Sequence, residues 1–469
     1  MSRFLFAAMF CCLLSPHVYT QPNDTWYNLV GSAYIDNASY EMLGRLCDEA
    51  GGRLMGSAAN DRALEIMMEE LQSLEIPARY EEFTAPGWTR GNDIVRVESP
   101  FKRTLRAAAL GYVEGSEVQA TMFYAAGGHR PVYDSLSTTI HGKIALVTQE
   151  RIQGEDQLLR YEVIDIAAEY GAAAVLFIND KSGGQVLCGV SNFEGRPSRI
   201  PAYSITYEEG KWLQRLLERG TEVAMTISTE SKCSEVVSSN IISTLPGRSG
   251  KKIVIGAHFD SWDVGHGGVD NGQGTAILFD VARLLTRFSP NNRHTLEFVW
   301  FNGEELGLWG SRKYVEAHRQ DPILAMINMD MTGTPRGFNA MGFNELIPML
   351  ERIHASLKGY NLDRGVTSNP WTNSDHMYFM FEGIPTLTLH AHLEKSMYQH
   401  YHDFGDTFDK VDKKYLSDAA AVISVLGYEL ANQPERAFPR YTQEQIKTLL
   451  IEHNLEDRLR RQGEWKFGD

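Results

Sequence analysis

Four short apolar runs punctuate the second half of the chain, at residues 253–257, 296–301, 325–329 and 386–389. Each is too short for a stable helix and reads as a buried strand. Between the first two, residues 276–288 are apolar almost all round, the signature of a buried helix. Strands alternating with helices predict an α/β fold: a mixed, mostly parallel sheet sandwiched by helices.

The first half reads differently. Residues 37–73 carry helical periodicity, with Asn37 as the cap and Ala63, Leu64, Met67, Met68 and Leu71 at helical spacing; a strand follows over 76–83. A second unit is expected from about 95 to 235. It holds strands within 142–147, 171–180 and 200–205, a helix carrying Val163, Ile164, Ile166 and Ala167, and another carrying Leu213, Leu216 and Leu217. After Pro434 the composition turns polar, and Thr442 with Gln445 forms a capping-box pair that opens an amphipathic helix through Leu459. That tail reads as a packing or partner helix without chemistry. The expected division is a leader at 1–20, one discontinuous domain at 21–94 and 236–434, an inserted domain at 95–235 and a helical tail at 435–469.

The leader has the order of an export signal. Arg3 precedes an unbroken apolar stretch over residues 4–14, then Ser15-Pro16, with Val18 and Thr20 as the −3 and −1 residues of a mature start near Gln21. The stretch falls short of the ~20 residues a membrane helix needs, and no other run in the chain is long enough. A secreted, periplasmic or lumenal location is expected. Cys11 and Cys12 leave with the leader. Cys47, Cys188 and Cys233 are widely spaced without a CxxC pair, which excludes a thiolate zinc site and a disulfide-dense scaffold. With 469 residues, 43% hydrophobic and 22% charged, the chain falls among folded soluble proteins of two or three domains. A net charge of −15 argues against a nucleic-acid partner, which demands a basic face.

Ligands of open α/β sheets bind outside the carboxyl ends of the strands, so the polar residues just after each predicted strand decide the chemistry. His258, Asp260 and Asp270 follow the first, Glu304 and Glu305 the second, and Asp330 the third; His402 and Asp406 sit in the loop after the fourth. Singly, each has an ordinary explanation: a core histidine, a helix cap, a solvated helix start. Jointly they converge on one sheet edge and suit a zinc centre built from imidazole and carboxylate. Asp270, Glu305 and Asp330 bring three negative charges against the four positive charges of two zinc ions, which leaves room for a hydroxide. Asp270, on a glycine-rich turn where backbones approach closely, is the carboxylate expected to bridge two ions.

The segments His258-Phe259-Asp260-Ser261, Asp270-Asn271-Gly272, Asn302-Gly303-Glu304-Glu305-Leu306-Gly307, Asn328-Met329-Asp330 and His402-Asp403-Phe404-Gly405-Asp406 resemble those of the co-catalytic dizinc exopeptidases of the aminopeptidase type. Arg53-Leu54-Met55-Gly56-Ser57 resembles an early turn of the same family, and residues 142–229 look like its inserted, β-rich protease-associated domain. The resemblance implies two Zn²⁺ per chain: His258 and Asp330 on one, Glu305 and His402 on the other, Asp270 between them. It implies Glu304 as general base for a zinc-bridging hydroxide, Asp260 hydrogen-bonded to the far nitrogen of His258, and Asp406 serving His402 likewise. Ser374, Asp375 and His376 resemble a segment near the substrate cleft, with helix capping as the alternative; Tyr398 and Tyr401 are candidate oxyanion donors or packing aromatics. A homodimer is implied by the resemblance alone.

The function expected is hydrolysis of short peptides, either dipeptides or unblocked N-termini. Related deacylases carry a lid between the Glu-Glu pair and the next aspartate, and the stretch from Glu305 to Asp330 is too short for one. A glutaminyl cyclase uses a single zinc, which the full ligand set disfavours. A binding module that kept the fold would be expected to lack Glu304 or a ligand.

Overall fold

The strand Lys252–His258 is buried at every position, as a strand covered on both faces must be. Thr295–Phe301 and Ile323–Asn328 flank it in parallel, and Thr386–His392 extends the parallel set beyond Ile323–Asn328. These are the four strands that the apolar runs predict. The computed structural model describes residues 24–136 and 139–468 and sets them at the centre of an eight-stranded sheet. The expected leader lies outside the described residues.

Antiparallel strands frame this parallel core. Ala78–Thr89 pairs along its whole length with Lys232–Leu245, which pairs in turn with Thr295–Phe301. On the other side, Thr334–Asn339 runs antiparallel to Thr386–His392 and parallel to Gly365–Thr367. The hydrophobic pattern predicts neither of these last two, because Pro335, Gly337 and Gly365 interrupt any alternation. The helix Gln273–Phe288 is buried at nearly every position and packs with Lys413–Asn432, Asp24–Ile35 and Ala38–Arg45. Trp309–Ala317 and His376–Phe381 form a separate group against the sheet. Among the described residues, no helix is long and apolar enough to cross a membrane.

The chain leaves this sheet after Thr89 and returns at Lys232. The residues between build a second eight-stranded sheet with the helices Arg130–Leu136, Arg160–Glu169 and Tyr207–Glu218. Its centre is the parallel set Ser116–Tyr124, Ile144–Thr148, Ala174–Ile178 and Ala202–Ile205; the last two strands lie within the predicted runs and Ile144–Thr148 extends one residue past its own. Trp262 and Leu306, from loops of the first sheet, and Trp309, which opens the helix Trp309–Ala317, are packed into the apolar core of the second. The two units therefore meet beside the carboxyl ends of the central strands.

Two local expectations need correction. Asn37 stands at the N-cap position of Ala38–Arg45 but makes no side-chain cap: it adopts a left-handed conformation and its side-chain oxygen accepts from Ser417 Oγ at 3.0 Å. The tail opens with the expected capping box at Thr442 but is two helices, Gln443–Glu452 and Glu456–Arg461. Asn454, with a φ of 57°, breaks the continuous helix expected through Leu459.

Candidate metal centre

His258 ends its strand with the side chain buried, and Asp270 and Asp330 face it. Nε2 lies 3.4 Å from Asp270 Oδ1 and 3.6 Å from Asp330 Oδ1. The other Asp270 oxygen lies 3.0 Å from His402 Nε2, which is also 3.0 Å from Glu305 Oε2. Two three-residue groups result, His258–Asp270–Asp330 and Asp270–Glu305–His402, each offering atoms close enough together to hold one ion. Asp270 belongs to both, one oxygen turned to each. Buried His258 Nε2 and Glu305 Oε1 have no hydrogen-bond partner, the state expected of atoms meant for a metal. The donor set, two imidazoles and three carboxylates, fits zinc.

Neighbouring groups hold these side chains in place. Asp260, fully buried, accepts from the backbone N–H of Glu304 at 3.1 Å and of Glu305 at 3.2 Å with its carboxylate, while His258 Nδ1 lies 3.2 Å from its backbone carbonyl and 3.5 Å from its Oδ1. One residue thus positions both the imidazole and the glutamate pair. Asn271 donates to Met329 O at 2.8 Å and accepts from Met331 N at 3.1 Å, so it grips the backbone on either side of Asp330. Arg53, also fully buried, donates to Phe259 O at 2.5 Å, His266 O at 2.8 Å and Gly267 O at 2.9 Å. It ties the His258 strand end to the turn that delivers Asp270. Asn271 and Arg53 lie within segments quoted from the sequence, but their partners are carbonyls and amides that no residue pattern displays.

The electrostatics divide the two glutamates. Glu304 belongs to neither ligand group; burial and the carboxylates of Asp330, Glu305 and Asp375 hold it well above the ordinary range, against the opposing pull of His258. Glu305 is pushed up to about 7 by burial, and Asp270 is held below its ordinary value by both imidazoles despite burial. For His402, Glu305 and Asp270 outweigh burial and raise it to about 10. These values belong to a metal-free cluster that keeps protons where a cation would sit.

Several expected roles change. Asp406 does not serve His402: it accepts from Val269 N at 2.6 Å and Asp270 N at 3.0 Å, anchoring the Asp270 turn. The far nitrogen of His402 faces Cys188 O at 3.3 Å, a carbonyl supplied by the inserted unit. Ser374 and His376 are fully buried and engaged, Ser374 Oγ accepting from Asn328 Nδ2 at 2.8 Å and His376 Nε2 lying 2.9 Å from Trp371 O. Burial pushes His376 down to about 4, which leaves it neutral. Neither Ser374 nor Asp375 caps the helix His376–Phe381 with its side chain. Asp375 is buried with both carboxylate oxygens unpaired and is pushed up to about 7. Tyr398 stands at the rim with Lys181 Nζ 4.3 Å from its ring centroid, whereas Tyr401 stacks on His402 with centroids 3.6 Å apart.

Comparison with known proteins finds similar sequences and folds. Residues 240–426 match the model of peptidase family M28, and residues 110–213 match the PA domain. Carboxypeptidase Q of Mus musculus is 27% identical over 425 residues, covering 87% of this chain and 88% of that protein. Aminopeptidase YwaD of Bacillus subtilis is 25% identical over 425 residues, covering 87% of each. Among solved structures, an M28 peptidase precursor of Shewanella amazonensis superposes with a TM-score of 0.74 at 23% identity, over 87% of this chain and 96% of that one. A zinc aminopeptidase from Bacillus subtilis superposes with a TM-score of 0.67 at 21% identity, over 87% and 98%.

Proposed function

We propose that this peptide-bond hydrolase, whose residues 240–426 match peptidase family M28 and residues 110–213 the PA domain, is a dizinc exopeptidase acting on short peptides. The observation that carries the reading is Asp270, whose two oxygens face His258 and His402 at 3.4 and 3.0 Å. One ion is assigned to His258, Asp330 and Asp270, the other to Glu305, His402 and Asp270. When bound, the zinc pair supplies Lewis acidity that polarises a peptide carbonyl and acidifies water.

The protein's own groups do the rest. Glu304 stands outside both ligand groups and is free to exchange protons. Its carboxylate accepts the proton of the attacking water and then hands it to the leaving amine. Asp260 holds the backbone of both glutamates, so the base and its neighbouring ligand keep a constant spacing. Asp406 and Arg53 hold the Asp270 turn against the repulsion of the carboxylates gathered around it.

The same reading includes export by the apolar leader at residues 4–14 and a discontinuous catalytic domain interrupted by the second sheet. Hydrolysis of free and N-acetylated dipeptides by the purified protein, with Glu304→Ala alongside, tests it. Release of both amino acids by the parent, nearly abolished in Glu304→Ala, is expected. Equal activity in the two proteins, or none in either, overturns the proposal.

A further inference from the structure

Beside the metal ligands, on the His402 side, lies a cavity of about 260 Å³. Tyr161, Leu187, Val190 and Phe193 of the inserted unit give it an apolar wall, and Tyr401 and His402 form the side toward the centre. Two guanidinium groups also line it, Arg160 from the inserted unit and Arg458 from the tail. Arg160 donates to Cys188 O at 3.1 Å and reaches Gln149 Oε1 at 3.4 Å, both uncharged. Arg458 faces the side-chain amide of Asn373, whose oxygen, turned toward it, accepts from Nε and Nη1 at 3.2 Å.

Neither arginine has a carboxylate within ion-pair distance among the described residues. Adjacent arginines are otherwise engaged: Arg461 pairs with Glu162, and Arg90 with Asp263 at 2.9 Å. A guanidinium left without a counter-ion in a half-buried wall is costly unless an anion arrives. Burial pulls Arg160 down to about 10, still charged at neutral pH. The centre itself is acidic around Glu304, where Asp330, Glu305 and Asp375 act on it. A short peptide that runs from the centre into the cavity therefore passes from carboxylates to guanidinium groups.

The tail limits how far such a peptide reaches. Arg461 ties it to Glu162 of the inserted unit, and the Asn373 amide nitrogen, in the orientation that turns its oxygen to Arg458, donates to Gln462 Oε1 at 3.2 Å, so the tail bridges the two units beside the cavity. Resting on the peptidase reading, we infer that this cavity receives the C-terminal residue of a short substrate, with Arg160 and Arg458 contacting its free α-carboxylate. Charge-assisted, forked hydrogen bonds of guanidinium to carboxylate provide the recognition, and the apolar wall takes the side chain. The tail, which the sequence presents as a packing or partner helix without chemistry, supplies a specificity residue. The substrate class becomes the dipeptide, or a similarly short peptide, with an apolar C-terminal residue.

Calorimetric titration of zinc-loaded Glu304→Gln protein with alanyl-leucine and alanyl-leucine amide tests the inference without turnover. The free acid is expected to bind about 10- to 100-fold more tightly than the amide, as for hydrogen bonds to charged groups. Adding Arg458→Gln should collapse that difference to within a few-fold, and Arg458→Lys should restore part of it. Arg458 lies on the exposed tail, so its replacement does not depend on the fold tolerating a change at the more enclosed Arg160. Equal affinity for acid and amide, or equal loss for both in Arg458→Gln, overturns the inference. If the acid is preferred through Arg458 while otherwise unaltered protein cleaves neither peptide, the subsite stands and the hydrolase reading falls.

Discussion

Glu304 and Glu305 are adjacent in the chain yet face different surroundings. Glu305 Oε2 meets His402, whereas Glu304 lies among Asp330, Asp375 and His258 without joining a ligand group. A ligating carboxylate makes a poor base, so the two positions tolerate different replacements. Glu304→Gln should retain zinc and lower kcat by about 10²- to 10⁴-fold, the usual contribution of general acid–base catalysis. Metal analysis beside steady-state kinetics checks this, and loss of zinc from the variant would reassign the pair. At this scale the sequence was informative about which side chains gather and uninformative about what holds them. His258, Asp270, Glu305, Asp330 and His402 are visible as chemistry-bearing side chains after apolar runs, but the carbonyls and amides that Asp406, Asn271 and Arg53 engage are not. Ser374 and His376 looked like substrate contacts for the same reason, since only packing reveals that both are consumed by Asn328 and Trp371.

The elements explain why these five residues meet. Lys252–His258, Thr295–Phe301, Ile323–Asn328 and Thr386–His392 run in one direction, so the loops at their carboxyl ends share an edge. Those strands were legible because burial on both faces demands continuous apolar runs. Thr334–Asn339 and Gly365–Thr367 were not, because outer strands with proline and glycine carry no such demand. The turn between the helices that start at Ala38 and Ala58 contributes Arg53, three of whose carbonyl partners lie in the segments bearing His258 and Asp270. Arg53→Met should leave those carbonyls unpaired, each at about 1–3 kcal/mol if still buried. The expected result is a clear fall in Tm together with weaker zinc retention on dialysis. An unchanged zinc content would show that the Asp270 turn is held without it.

At the scale of the whole molecule, the inserted unit and the tail complete the surroundings of a centre that the central sheet begins. Cys188 O faces His402 from the inserted unit, and the tail reaches the Asn373 loop. Neither contact was readable from the sequence, because hydrophobic periodicity describes each segment alone and not which units meet. The concentration of charge also ties metal to stability. In metal-free protein His402 titrates at about 10 against an ordinary 6.5, so its stabilisation is complete below about 6.5 and lost as pH rises through 10. Glu305, Asp375 and Asp406, all raised to about 7 chiefly by burial, lose theirs between their ordinary range and 7. Metal-free protein should therefore weaken as pH rises, whereas zinc, which displaces protons from its ligands, binds more tightly. The Tm gap between zinc-loaded and chelated protein should widen from about pH 6 to pH 9 in thermal scans; a constant or narrowing gap would contradict this coupling. The most direct test of the account as a whole is the zinc content of purified protein, measured by plasma mass spectrometry after removal of loosely bound metal, with Asp270→Ala alongside. The account predicts two zinc ions per chain in the parent and fewer than one in the variant. A parent holding a single ion, or a variant that keeps two, would contradict a centre bridged by Asp270.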